Sequence, residues 1–319
     1  MIKKIFITGA AGFVGSHLSE KLYENFKNAQ FVLYDKITYA ANKNYLKKLL
    51  KQKNIIFVRD DILNFKSLQN NLINVDLAIN VAAESHVDNS FGNSLIFTKT
   101  NTLGTHFFLE ACRKRKVKKI IHVSTDEIYG EIYNSSFKED SKFNPSNPYS
   151  SSKAAAEMII NGYIHSYNLP IIIIRSNNIF GYRQHPEKLI PGCCWSFIRK
   201  KKFPIHGSGM QKRSFLHIDD FCSGIVKIIR KGKVKEIYNI GSPFEYRNIE
   251  VVKLIARINN LDFKKFSYHV KDRPFNDFRY SINYDKMKKL KWKPKYKLED
   301  KIIEINNWYK KNFNFYKKR

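Results

Sequence analysis

Tyr149 and Lys153 stand four residues apart in Tyr149-Ser150-Ser151-Ser152-Lys153, so on a helix the phenol and the ammonium share a face. Tyrosine ordinarily titrates near pH ~10, too high for a base at neutral pH. A lysine cation and an oxidised nicotinamide beside it would lower that value and stabilise the phenolate. Upstream, Ser124-Thr125-Asp126-Glu127-Ile128-Tyr129-Gly130 sets two adjacent carboxylates beside a hydroxyl, more than a simple redox step needs. When hydride removal turns a carbinol into a ketone, the neighbouring C–H becomes acidic. One carboxylate can take that proton while the other, held protonated, donates to a leaving hydroxyl.

A third motif supplies the hydride chemistry. Thr8-Gly9-Ala10-Ala11-Gly12-Phe13-Val14-Gly15 follows an apolar run and opens a helical pattern. Its glycines permit a tight turn and close approach of backbone N–H groups to a pyrophosphate at the positive end of the helix. Asp35 closes the next apolar run, 20 residues after Gly15. A carboxylate there accepts from the adenosine ribose and repels a 2′-phosphate, which favours NAD over NADP.

These groups need a scaffold that brings them to one edge. Short Ile- and Val-rich runs at 2–8, 31–35, 55–59, 76–81, 119–124 and 171–175 predict strands. Helical patterns lie between most of them, such as 15–26 and 100–115. This alternation predicts an α/β fold, a Rossmann-like doubly wound parallel sheet with ligands at the carboxyl ends of its strands. The Ser- and Pro-containing stretch 135–148 reads as a loop before a helix starting near Tyr149. Beyond Arg175, prolines and glycines break the rhythm, and shorter elements follow, a strand at 236–240 and a helix near 249–260. We expect an NAD-binding domain over 1–175. Residues 176–319 should form mainly a smaller, interleaved α+β substrate-binding lobe, with some segments returning to the first domain.

Composition narrows the partners. The 319 residues carry 57 basic and 28 acidic side chains, a net charge of +29. Residues 1–160 hold 22 basic and 15 acidic groups, and 161–319 hold 35 and 13. Of the basic residues 44 are Lys and 13 Arg, a poor mix for bidentate reading of nucleic acid, so no nucleic-acid partner is expected. No apolar run of about 18 residues is present, so no membrane span is expected. Cys112, Cys193, Cys194 and Cys222 lack metal-ligand spacing, which points to no metal site and to a reduced, cytoplasmic setting.

Placed after the fifth strand of a dinucleotide fold, Tyr149 and Lys153 match the signature of short-chain dehydrogenase/reductase enzymes of the extended branch. The sequence resembles the nucleotide-sugar 4,6-dehydratases over nearly its whole length. The resemblance is carried by Ala82-Ala83-Glu84-Ser85-His86-Val87-Asp88, the Ser-Thr-Asp-Glu strand end and Pro148-Tyr149 to Lys153. Further matches are Pro186-Glu187-Lys188-Leu189-Ile190-Pro191, Tyr238-Asn239-Ile240-Gly241 and Asp272-Arg273-Pro274. It implies a lyase with tightly bound NAD acting on dTDP- or UDP-glucose. Tyr149, helped by Lys153 and Thr125, would deprotonate the 4-hydroxyl, Glu127 would take the C5 proton, and Asp126 would protonate the departing 6-hydroxyl. Gly9, Gly12, Phe13, Val14, Gly15, Asp35, Lys36, Thr38, Asp61, Ile62, Ala82, Ala83 and Ser85 would hold the cofactor, with Tyr149 and Lys153. Ser85, His86, Thr125, Asn178, Lys188, Leu189, Pro204, His206, Arg213, Asn248, Arg273 and Asn276 would meet the nucleotide sugar, Arg213 and Arg273 sufficing for the diphosphate. It also implies a homodimer, with 100–115 and 149–164 as interface helices.

The sequence departs from the bacterial dTDP-glucose pattern where Phe275 and Asn276 replace Gly-His, where His206 replaces a Tyr, and where Phe180 replaces the Tyr before Gly181. UDP-N-acetylglucosamine, with or without inversion at C5, stays open as a substrate. A 4-epimerase or decarboxylase of the same fold is the more distant alternative.

Overall fold

The computed structural model describes residues 1–316. Twelve strands appear in chain order: β1 (Lys4–Thr8), β2 (Gln30–Tyr34), β3 (Ile55–Val58), β4 (Leu77–Asn80), β5 (Lys119–Thr125), β6 (Ile171–Ser176), β7 (Asn178–Phe180), β8 (Phe203–His206), β9 (Lys212–His217), β10 (Ile237–Ile240), β11 (Glu245–Arg247) and β12 (Ser267–Val270). Seven form one parallel sheet ordered β10-β6-β5-β4-β1-β2-β3. The order reverses between β1 and β4, where Thr8 lies opposite Asn80, and that reversal opens a crevice at the carboxyl edge. Short Ile- and Val-rich strands suit this sheet because both of its faces are covered.

On one face, Leu18 and Leu22 of helix Phe13–Asn25 pack with Phe221 and Ile225 of helix Ile218–Lys231. On the other, Phe108 and Leu109 of helix Gly104–Lys114 pack with Ile160 and Tyr163 of helix Pro148–Tyr167. Thus β10 and helix Ile218–Lys231, both from the second half of the chain, complete the large sheet and its core. A separate core joins helices Leu189–Ile198, Asn248–Ile258 and Leu298–Lys311 with β8 and β9. Beside it lie the three-stranded sheet β11-β9-β7 and the pair β12-β8.

Two expected elements differ in detail. The first strand begins at Lys4 rather than at residue 2. The helical pattern over 100–115 is a π-helical turn, Thr98–Leu103, running into helix Gly104–Lys114. A Cβ at Gly104 would sit 2.6 Å from Ile62 Cγ2, so the chain there is pressed against the segment after β3. Periodicity in the sequence reports the apolar face but not a one-residue change of winding.

Helix Pro148–Tyr167 starts where it does for local reasons. Asn147 accepts from the Ser150 N–H at 2.9 Å, the Ser150 hydroxyl reaches back to the Asn147 N–H, and Pro148 needs no donor in the first turn. Strand β6 is tied to this helix by a buried ion pair, Arg175 to Glu157 at 2.6 Å. The Arg175 guanidinium also donates to Tyr129 Oη at 2.5 Å and lies between the Tyr129 and Phe143 rings. One buried cation therefore joins β6, the long helix and the Asp126–Tyr129 turn, the last two of which carry candidate reactive groups.

Candidate active site

A cleft of about 650 Å³ runs along the carboxyl edge of the large sheet and under the smaller lobe, and every cofactor, substrate and catalytic position named above lines it. Burial alone does not gather them. They come from the ends of five strands of the large sheet and from at least four segments of the second half.

At one end, Gly9 has φ +65° and a Cβ there would lie 2.7 Å from the Ala82 nitrogen, while a Cβ at Gly15 would lie 2.0 Å from the Gly9 oxygen. Only glycine permits this packing of loop, helix start and the segment after β4. The cradle fits a dinucleotide pyrophosphate, with helix Phe13–Asn25 starting directly behind it. Asp35 has a first task the sequence did not announce. Its Oδ2 accepts from the Ala11 N–H at 2.8 Å and its Oδ1 from the Ile37 N–H at 2.7 Å, so it clamps the glycine loop. An ionised carboxylate has about four acceptor positions, which leaves room for a ribose. Lys36 pairs with Asp61 at 2.6 Å, joining the segments that follow β2 and β3 at the edge of the cleft.

In the middle of the cleft β5 ends at Thr125, whose Oγ1 accepts from the Glu127 N–H at 3.2 Å and starts the turn Asp126–Tyr129. Asp126 is buried, and its carboxyl is pushed up to about 7, first by burial and then by the neighbouring Glu127 charge, against the pull of the Asn177 amide. Glu127 is also raised by burial, while the Lys188 and Arg213 cations oppose the rise. Its Oε2 is buried without a hydrogen-bond partner, an acceptor left free for a ligand proton. An acid whose neutral form is favoured thus stands next to a carboxyl with an open oxygen.

Tyr149 and Lys153 occupy the first two turns of the long helix, both buried. The Lys153 ammonium donates to the Val123 carbonyl at 2.7 Å and stands 3.4 Å from His122 Nε2. Asn80 links that histidine to Thr8 at 3.2 and 2.6 Å, so the lysine is anchored through the sheet to the glycine-loop strand. Burial lowers the Lys153 ammonium to about 8. The sequence expectation for Tyr149 included an oxidised nicotinamide beside it; the protein's own groups act in the other direction. Burial and the Glu127 and Asp126 charges push its phenol up, and only the Thr125 hydroxyl opposes them. Burial is the largest cause, and the Lys153 ammonium is directed at the Val123 carbonyl rather than at the phenol.

On the far side, both arginines expected at a diphosphate are already engaged. Arg273 Nε lies 2.5 Å from Asp88 Oδ1 as an ion pair and Nη2 donates to Asp88 Oδ2 at 3.0 Å, bridging the cleft from the smaller lobe to helix Val87–Gly92. Arg213 donates to the Lys212 and Phe278 carbonyls and to Asn276, and lies over the Tyr280 ring at 4.5 Å. Lys188 donates to the Ser85 carbonyl, and His86 lies 3.8 Å from Glu187 and 3.5 Å from Asp88. Asn178 begins β7, Leu189 begins helix Leu189–Ile198, Asn248 begins helix Asn248–Ile258, and Pro204 and His206 lie on β8.

Sequence reasoning missed Asn177, Asn147, Asp277 and Tyr280, which also line the cleft. Asn177 was within reach of a rule, since it follows β6 at the ligand edge of the sheet. Asp277 and Tyr280 were not, because they come from an irregular segment without periodicity, where the Tyr280 hydroxyl and Ser146 both donate to Asp277. Among the described residues no group of three potential ligands is arranged to hold a metal ion, and no helix is long and apolar enough to cross a membrane.

Residues 6–305 match the family model described as GDP-mannose 4,6 dehydratase. The chain is 41% identical to the dTDP-D-glucose 4,6-dehydratase of Dictyostelium discoideum, covering 99% of itself and 83% of that protein. It is 40% identical to a trifunctional UDP-glucose 4,6-dehydratase, epimerase and reductase of Arabidopsis thaliana over 97% of its own length, and it spans 47% of that protein's length. A crystal structure of DesIV, the dTDP-glucose 4,6-dehydratase of Streptomyces venezuelae, with NAD and TYD bound, superimposes with a TM-score of 0.96 at 33% identity, covering 99% of each chain. Matching fold, glycine cradle and paired carboxylates together, the chain belongs to the GDP-mannose 4,6 dehydratase family.

Proposed function

We propose that this protein is an NAD-dependent lyase that converts a dTDP- or UDP-linked glucose to its 4-keto-6-deoxy derivative. The observation that carries the reading is the pairing, in one cleft, of the Tyr149–Lys153 helix face with the buried Asp126–Glu127 turn. An oxidoreductase or a 4-epimerase needs the first pair only. Loss of water needs an acid and a base in addition.

Bound NAD supplies the hydride acceptor for C4 and, once water has left, the hydride donor for C6. Tyr149 Oη takes the 4-hydroxyl proton, with Lys153 holding the local charge. Glu127 Oε2 takes the C5 proton made acidic by the 4-ketone; the C5–H electron pair becomes the C5=C6 bond, and the C6–O pair leaves as water with a proton from Asp126. Glu127 returns its proton to C5. At that point Tyr149 holds an extra proton and Asp126 lacks one. Thr125, whose hydroxyl opposes the rise of the Tyr149 phenol and lies 3.4 Å from Asp126 Oδ1, would pass it across. Lys188, Arg213 and Arg273 would meet the diphosphate, Arg273 exchanging Asp88 for it. Pro204, His206, Asn248 and Asn276 would surround the base.

The reading includes a homodimer and a cytoplasmic setting. Leu95, Ile96 and Leu103, on segments packed against the long helix, and Met158 on that helix are exposed, which supports pairing through these faces. Four buried free cysteines support a reducing compartment. Light scattering should give twice the mass of 37.5 kDa. Incubation with dTDP-glucose, UDP-glucose and UDP-N-acetylglucosamine, with NMR of the product, should give a 4-keto-6-deoxy sugar from a glucose nucleotide. Formation of only a C4 epimer or carbon dioxide would overturn the lyase reading, and the C5 configuration of the product reports any inversion.

A further inference from the structure

Asn177 makes two hydrogen bonds that together decide where Asp126 can carry its proton. Its Oδ1 accepts from the Ser242 backbone N–H at 2.9 Å. A backbone N–H is only ever a donor, so this contact fixes the orientation of the amide and turns its NH₂ toward the acid. The Nδ2 donates to Asp126 Oδ2 at 2.6 Å. Asn177 is 3% exposed and is wedged between the ends of β6 and β10, where a Cβ at Gly241 would come within 3.0 Å of its Oδ1. The amide is therefore held from both sides rather than free to follow the carboxyl.

An NH₂ group cannot accept a proton in a hydrogen bond, so the oxygen it faces is the unprotonated one. The proton of neutral Asp126 is favoured on Oδ1, whose partner, the Thr125 hydroxyl at 3.4 Å, donates to it when the carboxyl is ionised and can rotate to accept when it is neutral. From the two fixed amide contacts we infer that Asn177 is a positioning residue for the elimination step: it confines the acidic proton to Asp126 Oδ1, the oxygen that faces the reacting sugar, and so aims it at the departing 6-hydroxyl. This inference rests on the dehydration reading. Without Asn177 the proton is shared between both oxygens and both rotamers of the carboxyl, and the fraction aimed at the substrate falls.

The test compares leaving groups. A hydroxyl leaves only with a proton, whereas fluoride leaves from C6 as the anion and needs none. Wild type, Asn177→Ala and Asn177→Asp are assayed with the glucose nucleotide that wild type turns over and with its 6-deoxy-6-fluoro analogue. Full removal of an acid costs ~10²–10⁴-fold, and misaiming it should cost less, so kcat with the 6-hydroxyl substrate should fall roughly 30-fold with KM within about twofold. With the fluoro analogue the loss should be under about threefold. In Asn177→Ala the alkaline limb of the kcat profile should also move upward, because a donor to the ionised carboxylate is gone. Asn177→Asp keeps the acceptor for the Ser242 N–H and loses the donor, so it reads the same step if the alanine variant does not fold. Equal losses on both substrates, or a rise in KM with kcat unchanged, would overturn the assignment. If wild type itself forms no 4-keto-6-deoxy product, the dehydration reading fails instead, and the two failures are distinct.

Discussion

Replacing Asp126 by asparagine should abolish turnover and yet stabilise the fold at alkaline pH. The fold favours the neutral carboxyl, raising its pKa from 3.8 to about 7 through burial and the Glu127 charge. Below pH ~4 the folded and unfolded chains both hold the proton and no penalty exists. Between there and pH 7 the unfolded chain ionises first, so stability falls as pH rises, and above 7 the full penalty stands. About three pH units at 1.36 kcal/mol each give a ceiling of about 4 kcal/mol. An amide at 126 has no charge to desolvate. Its oxygen can accept from Asn177, as Asp126 Oδ2 does at 2.6 Å, and its NH₂ can face Thr125 Oγ1. Allowing for imperfect bonds of the new amide, worth about 1–3 kcal/mol, the net gain is about 2 kcal/mol at pH 8. That corresponds to a Tm roughly 4 °C above wild type for a chain of this size. At pH 5 the gain should be close to zero. Thermal unfolding of both proteins at fixed NAD concentration from pH 5 to 8 is the assay, because bound ligand shifts Tm by itself. A variant no more stable than wild type at pH 8, or a difference that does not change with pH, would refute the assignment of Asp126 as a desolvated acid.

Three other outcomes follow from the same structure. Wild-type kcat/KM should fall about tenfold per pH unit above ~7 as Asp126 loses its proton, and should fall again at low pH as Glu127 gains one; product formation across pH 5–9 shows both limbs. Glu157→Gln leaves the Arg175 guanidinium buried without its counter-charge, so unfolding in urea should lose about 3–5 kcal/mol. Gly15→Ala drives a methyl to 2.0 Å from the Gly9 carbonyl oxygen, and the purified variant should carry little or no NAD by absorbance and extraction while a surface substitution such as Lys311→Ala keeps it.

The dinucleotide half of the site was legible because its requirements are local. A glycine loop between a strand and a helix, and a carboxylate at the end of the next strand, lie within 35 residues and obey backbone rules that no other residue types satisfy. Tyr149 and Lys153 were legible for the same reason, as two groups one helical turn apart behind a proline and a capping box. The adjacent pair Asp126 and Glu127 announced acid and base chemistry, but their division of labour is a matter of environment. Only in three dimensions does Asp126 meet the Asn177 amide from the end of β6 while Glu127 keeps one oxygen free near Lys188 and Arg213. The nucleotide side was the least legible, because Arg213, Arg273, Asp277 and Tyr280 come from segments without periodicity and their partners lie across the lobes.

The charge of +29 shows the same division. Sequence determined its amount and its concentration in the second half, and the Lys-rich composition placed most of it in solvent. Tertiary structure decided which few cations face the cleft, and it gave each of them a protein partner. Arg273 is held by Asp88 and Arg213 by carbonyls and Asn276, so any anion that met them would exchange with those contacts rather than meet bare charge. Composition fixes how many charges a chain carries, whereas the dielectric and the partner around each one, set by packing, fix what that charge can do.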